Sequence, residues 1–263
     1  MLGKLIKQDF LYSYKILVLV HLALIVFSII GYFFISPLFA ADSVVKENSA
    51  LLVIIPTLYI IFIFIASYTS YILLTVRYYK SMYGQESYFT HTLPVSSGQL
   101  LLAKVIVFFI WSMITLICSI GCGFLLLLQP ILKESDNILS VLFAGLDSFQ
   151  MPRVLVILMI LLLVFSATLF GILSIMGSIN IGGFFFKQKI IASIIAYIII
   201  SLVTQLPFIF FPIVPSSAEM SDAIMAAQYF KNYIIFGIVF SLAGSSILAF
   251  ISWYLPAKKL NLN

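Results

Sequence analysis

The side chains able to do chemistry in this sequence are few and scattered. Its two histidines, His21 and His91, lie in different segments, far from the two cysteines, Cys118 and Cys122. The cysteines fall four residues apart in one apolar run, so on a helix they share a face. There they read as two small buried thiols. A zinc site needs clustered Cys, His or carboxylate ligands, and a thiol–imidazole pair needs neighbours; neither can be assembled from these four residues. The intramembrane metalloprotease pattern H-E-x-x-H is absent, as is G-x-x-x-x-G-K-[ST], whose amides and lysine would hold ATP phosphates. Serine catalysis would require a base beside one of many serines, and two separated histidines do not supply it. The sequence therefore offers no catalytic residue, no metal ligand set and no bound cofactor, and the chain is not expected to be an enzyme by itself.

What must position so few polar groups is a membrane. Of 263 residues, 63% are hydrophobic and 9% charged; a soluble domain averages about 45–50% and about 25%. A mean hydropathy of +1.21 and long uncharged runs make lipid the main solvent. Six uncharged segments are each long enough for a bilayer core that needs roughly 20 helical residues. They fall at about 16–36, 50–76, 105–128, 154–179, 190–211 and 233–255, which predicts an all-α, polytopic, single-domain chain with six transmembrane helices over residues 1–263. The basic N-terminus, MLGKLIKQDF, precedes an apolar stretch longer than a signal-peptide core and without a clear A-x-A site, so it is expected to remain as the first span.

Charge sets the orientation. Lys4, Lys7, Lys15, Arg77, Lys80, Lys104, Lys187, Lys189, Lys258 and Lys259 fall on the side of the termini, against Asp9 and Glu86. The opposite side holds Lys46, Lys133, Arg153 and Lys231 against seven acidic residues. By the positive-inside rule both termini are cytosolic. The basic excess is thus a topology signal, and nucleic acid is not an expected partner. Lys15, Lys104, Arg153 and Lys231 sit near span edges, where their stems can snorkel.

Within the spans the only ionisable candidate is His21, near the cytosolic end of the first, where an interfacial or packed imidazole is a simpler reading than a proton relay. Small residues recur every four positions at Gly237, Ser241, Ser245 and Ala249, and at Ser174, Ser178 and Gly182, a spacing that lets helix backbones approach closely, within the chain or between subunits. Pro56 and Pro207 each remove a helical hydrogen bond and can kink their helices. Residues 1–15 read as an amphipathic interface helix, with Leu2, Ile6, Phe10, Tyr14 and Leu17 on one face and Lys4, Gln8 and Lys15 on another. The alternative is a plain cytosolic extension of span one.

The longest cytosolic connection, 77–104, is the least like a tether. Gly84 offers a break, Pro94 pushes Leu93 out of helical geometry, and Ser96 or Ser97 can cap a helix running into span three. Residues 85–93 are therefore bracketed as a short compact helix or turn.

That connection, GQESYFTHTLPVSSGQLLLAK, resembles the permease subunits of ABC-2 type transporters. In that bacterial family a phrase close to Y-x-T-x-T-L-P-V-S-x-x-Q-L-L-x-x-K recurs between helices two and three. The matching positions are Tyr88, Thr90, Thr92, Leu93, Pro94, Val95, Ser96, Gln99, Leu100, Leu101 and Lys104. The resemblance implies the transmembrane subunit of a bacterial ABC exporter in the cytoplasmic membrane, surrounded by membrane lipid, with ATP and Mg held by a separate cytosolic ABC ATPase. It also implies a coupling helix in this loop, placing Gln85, Glu86, Tyr88, Phe89, His91, Leu93 and Pro94 at the ATPase contact. An N-terminal interface helix and a partly re-entrant 212–232 would complete the family pattern. A second permease, identical or related, would share the translocation pathway. Helices two and five would line it, with Ser67, Tyr68, Thr69, Ser70, Thr204 and Gln205 as its few polar handles, a lining suited to an amphipathic or hydrophobic peptide, drug or lipid. Two rivals stay open: a carrier driven by an ion gradient, and a non-transporting subunit for peptide immunity or sensing.

Overall fold

The computed structural model describes residues 2–40, 49–84, 86–92, 95–134, 143, 145–147, 149, 151–183, 185, 188–210 and 223–259. The described residues include the helices α1 (Leu2–Ala40), α2 (Ser49–Tyr83), α3 (Ser87–Thr92), α4 (Ser97–Glu134), α5 (Arg153–Gly182), α6 (Lys189–Phe210) and α7 (Ala223–Lys259). No strand occurs among the described residues. All but α3 are long and apolar enough to cross a membrane, which matches the six uncharged runs and makes this a multi-pass membrane protein.

Several helices overrun the hydrocarbon. At ~1.5 Å per residue, the 39 residues of α1 span about 58 Å, against a bilayer core of about 30 Å. Residues 2–15 continue into the first span with no break, so the structure does not set them apart as a separate interface helix. The junction, Lys15-Ile16-Leu17, holds neither glycine nor proline to interrupt the hydrogen-bond ladder. The connection expected over 77–104 is likewise shorter than its sequence boundaries: α2 stays helical to Tyr83 and α4 begins at Ser97, leaving 84–96. Arg77 and Lys104 lower hydropathy without lowering helix propensity, so the helices run past the apolar segments to the break at Gly84 and from the cap at Ser96. Pro56 lies inside α2 and Pro207 inside α6. Of the re-entrant stretch expected at 212–232, residues 223–232 belong to α7 and the remainder lies outside the described residues.

The distribution of side chains is that of a protein dissolved in lipid. On α6, Ile191, Ile195, Ile198, Leu202 and Leu206 stand outward, each half or more exposed, an apolar surface that water would not tolerate and lipid does. The most deeply buried residues include Ser28, Ser70, Ser112, Ser166, Ser252 and Asn180. Many hydroxyls are satisfied within their own helices, whereas those of Ser28, Ser112 and Ser252 find no hydrogen-bond partner among the described residues. Ser70 Oγ donates to the Ala66 carbonyl at 3.3 Å, Thr115 Oγ1 to Trp111 at 2.9 Å, Ser174 Oγ to Phe170 at 2.8 Å and Ser245 Oγ to Ser241 at 2.6 Å. Such back-bonding keeps a hydroxyl from facing hydrocarbon unpaired.

Two compact units are formed. One comprises Tyr78–Val105 and Leu142–Asn263 with Met1–Leu2; the other comprises Gly3–Arg77 and Ile106–Val141. In the first, α5 packs along α7 and against α6. The two small-residue stripes lie on these helices: Ser174, Ser178, Gly182, Gly237, Ser241 and Ser245 are all buried, with Ala249 half-buried. A Cβ on the stripe residue Gly237 would lie 3.0 Å from Leu163; beside the stripes, one on Gly177 would lie 3.3 Å from Leu248 and one on Gly244 2.5 Å from the Phe170 ring. The stripes therefore serve contacts within the chain. The closest approach is at Gly182, where a Cβ would come within 2.5 Å of the Ser193 backbone nitrogen and 2.6 Å of its Cα. In the second unit, Gly31 plays the same part against the Tyr59 ring, and the Tyr59 hydroxyl donates to the Cys122 carbonyl at 2.8 Å.

Because backbone cannot yield as a side-chain tip can, Gly182→Ala is expected to destabilise the detergent-solubilised protein by about 1–3 kcal/mol. Gly171→Ala, where nothing lies within 4 Å, should be neutral or stabilising by up to about 1 kcal/mol. Denaturation followed by circular dichroism checks both.

Candidate functional site

The connection between α2 and α4 is built from local hydrogen bonds. Gly84 N donates to the carbonyls of Tyr79 and Lys80, both at 3.2 Å, closing α2. A Cβ there would sit 2.8 Å from the Lys80 carbonyl oxygen, so the chain leaves the helix where a side chain would obstruct it. Ser87 N then donates to the Gly84 carbonyl at 3.1 Å, and Thr90 bonds back to the Glu86 carbonyl through its amide at 3.1 Å and its hydroxyl at 3.0 Å. This starts the six-residue α3. Ser96 caps α4: its Oγ accepts from Gln99 N at 3.3 Å and its carbonyl from Leu100 N at 3.1 Å. Of the two serines that the sequence offered as caps, Ser96 acts.

Among the residues expected at the coupling contact, Glu86 is half-buried at the turn before α3, and Tyr88 is 65% exposed on it. Phe89 and His91 belong to α3, but their side chains lie outside the described residues, as do Gln85, Leu93 and Pro94 altogether.

Both flanks of this element are anchored inside the same compact unit. Asn180, 1% exposed near the end of α5, accepts through Oδ1 from the hydroxyls of Tyr78 at 2.9 Å and Tyr83 at 3.0 Å. Its Nδ2 donates to the Ser252 carbonyl of α7 at 3.3 Å. One amide thereby ties the end of α2 to α5 and α7. The Tyr83 ring rests on Gly183, where any Cβ would collide with it. On the other flank, Lys104 Nζ donates to Ser81 Oγ at 2.6 Å. Lys104 is 7% exposed; it is packed against α2, which corrects the expectation of a snorkelling edge residue. A Cβ on Gly98 would lie 3.6 Å from the Trp253 indole nitrogen.

The expected pathway residues fall into both units. In one, Ser67 Oγ meets Ser119 Oγ of α4 at 2.8 Å, Thr69 Oγ1 donates to Ile65 at 2.8 Å, Ser70 is buried, and Tyr68 is exposed. In the other, Thr204 Oγ1 donates to Ser201 at 3.1 Å, and Gln205 is exposed. His21 is packed and buried: Nδ1 lies 2.6 Å from the Leu17 carbonyl and Nε2 2.9 Å from Thr115 Oγ1, with the Trp111 ring stacked at 6.0 Å. A carbonyl only accepts, so Nδ1 carries a proton. Away from the spans, the Arg153 guanidinium hydrogen-bonds both oxygens of Asp147 at 2.7 Å and holds that carboxyl below the ordinary carboxylate range. A depressed folded-state value means the pair is complete at neutral pH and opens as acid protonates Asp147.

No family model matches the chain, and comparisons with curated proteins and with solved structures find no similar protein.

Sequence reasoning missed Asn180, which sits at the edge of its apolar run and reads there as a span end. The available signal was its type: an amide flanked by Ile179 and Ile181 needs partners. Replacing it with Leu orphans two tyrosine hydroxyls at once. Asn180→Leu is expected to cost about 1–3 kcal/mol, and Tyr83→Phe, which leaves Asn180 its bond from Tyr78, less than about 1 kcal/mol. Equal losses in denaturation would show that the hub does not act as a shared acceptor.

Proposed function

We propose that this chain is the permease subunit of an ATP-driven ABC exporter, with both termini in the cytosol of a bacterial cell and a separate ATPase docking on the connection between α2 and α4. The observation that carries the reading is a short helix, α3, lying between the anchored ends of α2 and α4 and bearing an exposed aromatic, Tyr88. A floppy loop would absorb a push from a partner. A short helix whose flanks are tied by Lys104–Ser81 and Tyr78/Tyr83–Asn180 would pass it on. An exposed tyrosine is also a residue type favoured at protein interfaces. The motif around it, Tyr88 through Lys104, supplies the family resemblance, and the absence of a phosphate-binding motif in the sequence assigns ATP and Mg to the partner.

In this reading two permeases, identical or related, enclose the path, and the exposed Ile- and Phe-rich faces of α2 and α6 suit an amphipathic or hydrophobic cargo such as a peptide, drug or lipid. The ion-driven carrier gains less support. His21 is closed by Leu17 and Thr115 on its two nitrogens, an arrangement that holds the ring in place.

The test is affinity purification of the tagged chain from its native membrane, followed by ATP turnover. A Walker-motif ATPase should co-purify, and the double change Glu86→Ala, Tyr88→Ala should lower its recovery or its turnover at least about tenfold, the loss expected when interface anchors worth about 1.4 kcal/mol or more are removed. Helical circular dichroism should be unchanged. Full recovery and full turnover in the double variant would move the docking site elsewhere.

A further inference from the structure

The outward face of α1 changes character along its length. Lys4, Lys7 and Lys15 are exposed, and at about 100° per residue they fall within a sector of roughly 80° together with exposed Leu11. Beyond Lys15 the same sector carries Leu22, Ile25, Ile29 and Phe33, all exposed and all apolar. Three ammonium groups over about 16 Å of helix axis thus stand directly above a lipid-facing apolar stripe on one unbroken rod.

The acid that could neutralise them is engaged elsewhere. Asp9, the one carboxylate in α1, lies 3.6 Å from the Arg77 guanidinium, which also rests 3.5 Å from the centre of the Tyr12 ring. Arg77 is thereby fixed at the depth of residues 9–12 and takes up the Asp9 charge, leaving the three lysines as the net positive charge of this face. Among the described residues no ion pair involves Lys4, Lys7 or Lys15. Tyr12 and Tyr14, both exposed, mark the same depth, where aromatic rings gather at the boundary between headgroups and acyl chains.

We propose that residues 4–15 of α1 form a binding surface for anionic phospholipid headgroups, with Lys4, Lys7 and Lys15 as phosphate contacts and the stripe from Leu22 to Phe33 seating the acyl chains. The charge is complementary to an anionic leaflet, and the apolar continuation selects a lipid over a free phosphate or an acidic peptide. A Lys or Arg near an anionic membrane surface contributes on the order of a fivefold gain in affinity. The inference does not rest on the ATP-driven reading: it concerns the lipid side of the chain and needs no ATPase.

The experiment titrates the detergent-solubilised full chain with short-chain phosphatidylglycerol and, separately, phosphatidylcholine, following tryptophan fluorescence in low salt and in 0.5 M salt. The wild type should prefer phosphatidylglycerol at least about tenfold in low salt and lose most of that preference in high salt. The triple change Lys4→Gln, Lys7→Gln, Lys15→Gln should abolish the preference; the same positions changed to Arg should keep it, which separates charge from folding. Lys231→Gln, on α7, should leave it intact. Equal binding of the two lipids by the wild type, a preference that survives in the triple Gln variant, or displacement of the lipid by equimolar inorganic phosphate would each overturn the assignment.

Discussion

Inside a bilayer a polar group has no water to fall back on, and the whole architecture follows from that constraint. It explains why the described backbone of the spans is continuous helix even through Pro56 and Pro207, and why many serine and threonine hydroxyls turn back to carbonyls of their own helix. It also explains the inversion of the usual interior. Apolar side chains gain little by leaving lipid for protein, so many stay outside. Small and polar residues, which lipid solvates poorly, join Leu17, Leu24, Ile172 and Met176 inside.

In such an interior, cohesion comes from close approach more than from apolar burial. Gly177, Gly182 and Gly244 let backbone and rings of neighbouring helices meet, and dispersion between them accumulates over many small contacts. Single interhelical hydrogen bonds in membranes average about 0.6 kcal/mol, too little for any one of them to hold a helix. Asn180 matters because it gathers three partners from two other helices on one amide, so that α2, α5 and α7 share a fixed point. Close packing sets the distance between helices, and the amide sets their register.

Much of this was legible in the sequence, and the physical reason is that lipid imposes a one-dimensional rule. A span needs about 20 apolar residues, so the six helices could be counted directly. The small-residue stripes, the break at Gly84 and the cap at Ser96 were legible because each follows from local stereochemistry. What the sequence could not reveal were the partners. Lys104 found Ser81, and Arg77 found Asp9 and Tyr12, through tertiary geometry that no periodicity encodes. Of the candidate contact residues, Glu86 and Tyr88 were placed, while Gln85, Leu93 and Pro94 lie outside the described residues.

The position of α3 bears on how motion could enter this chain. Tyr78–Val105 belongs to one compact unit, whereas the remainder of α2 and most of α4 belong to the other. Each helix is unbroken across that change of unit. An α-helix resists axial compression because every turn is hydrogen-bonded to the next, so a displacement at 84–96 has two routes onward. It would be shared sideways with α5 and α7 through Asn180, and it would be carried along the axes of α2 and α4. In the proposed reading, a short helix set between those two helix ends is where a docking partner would push.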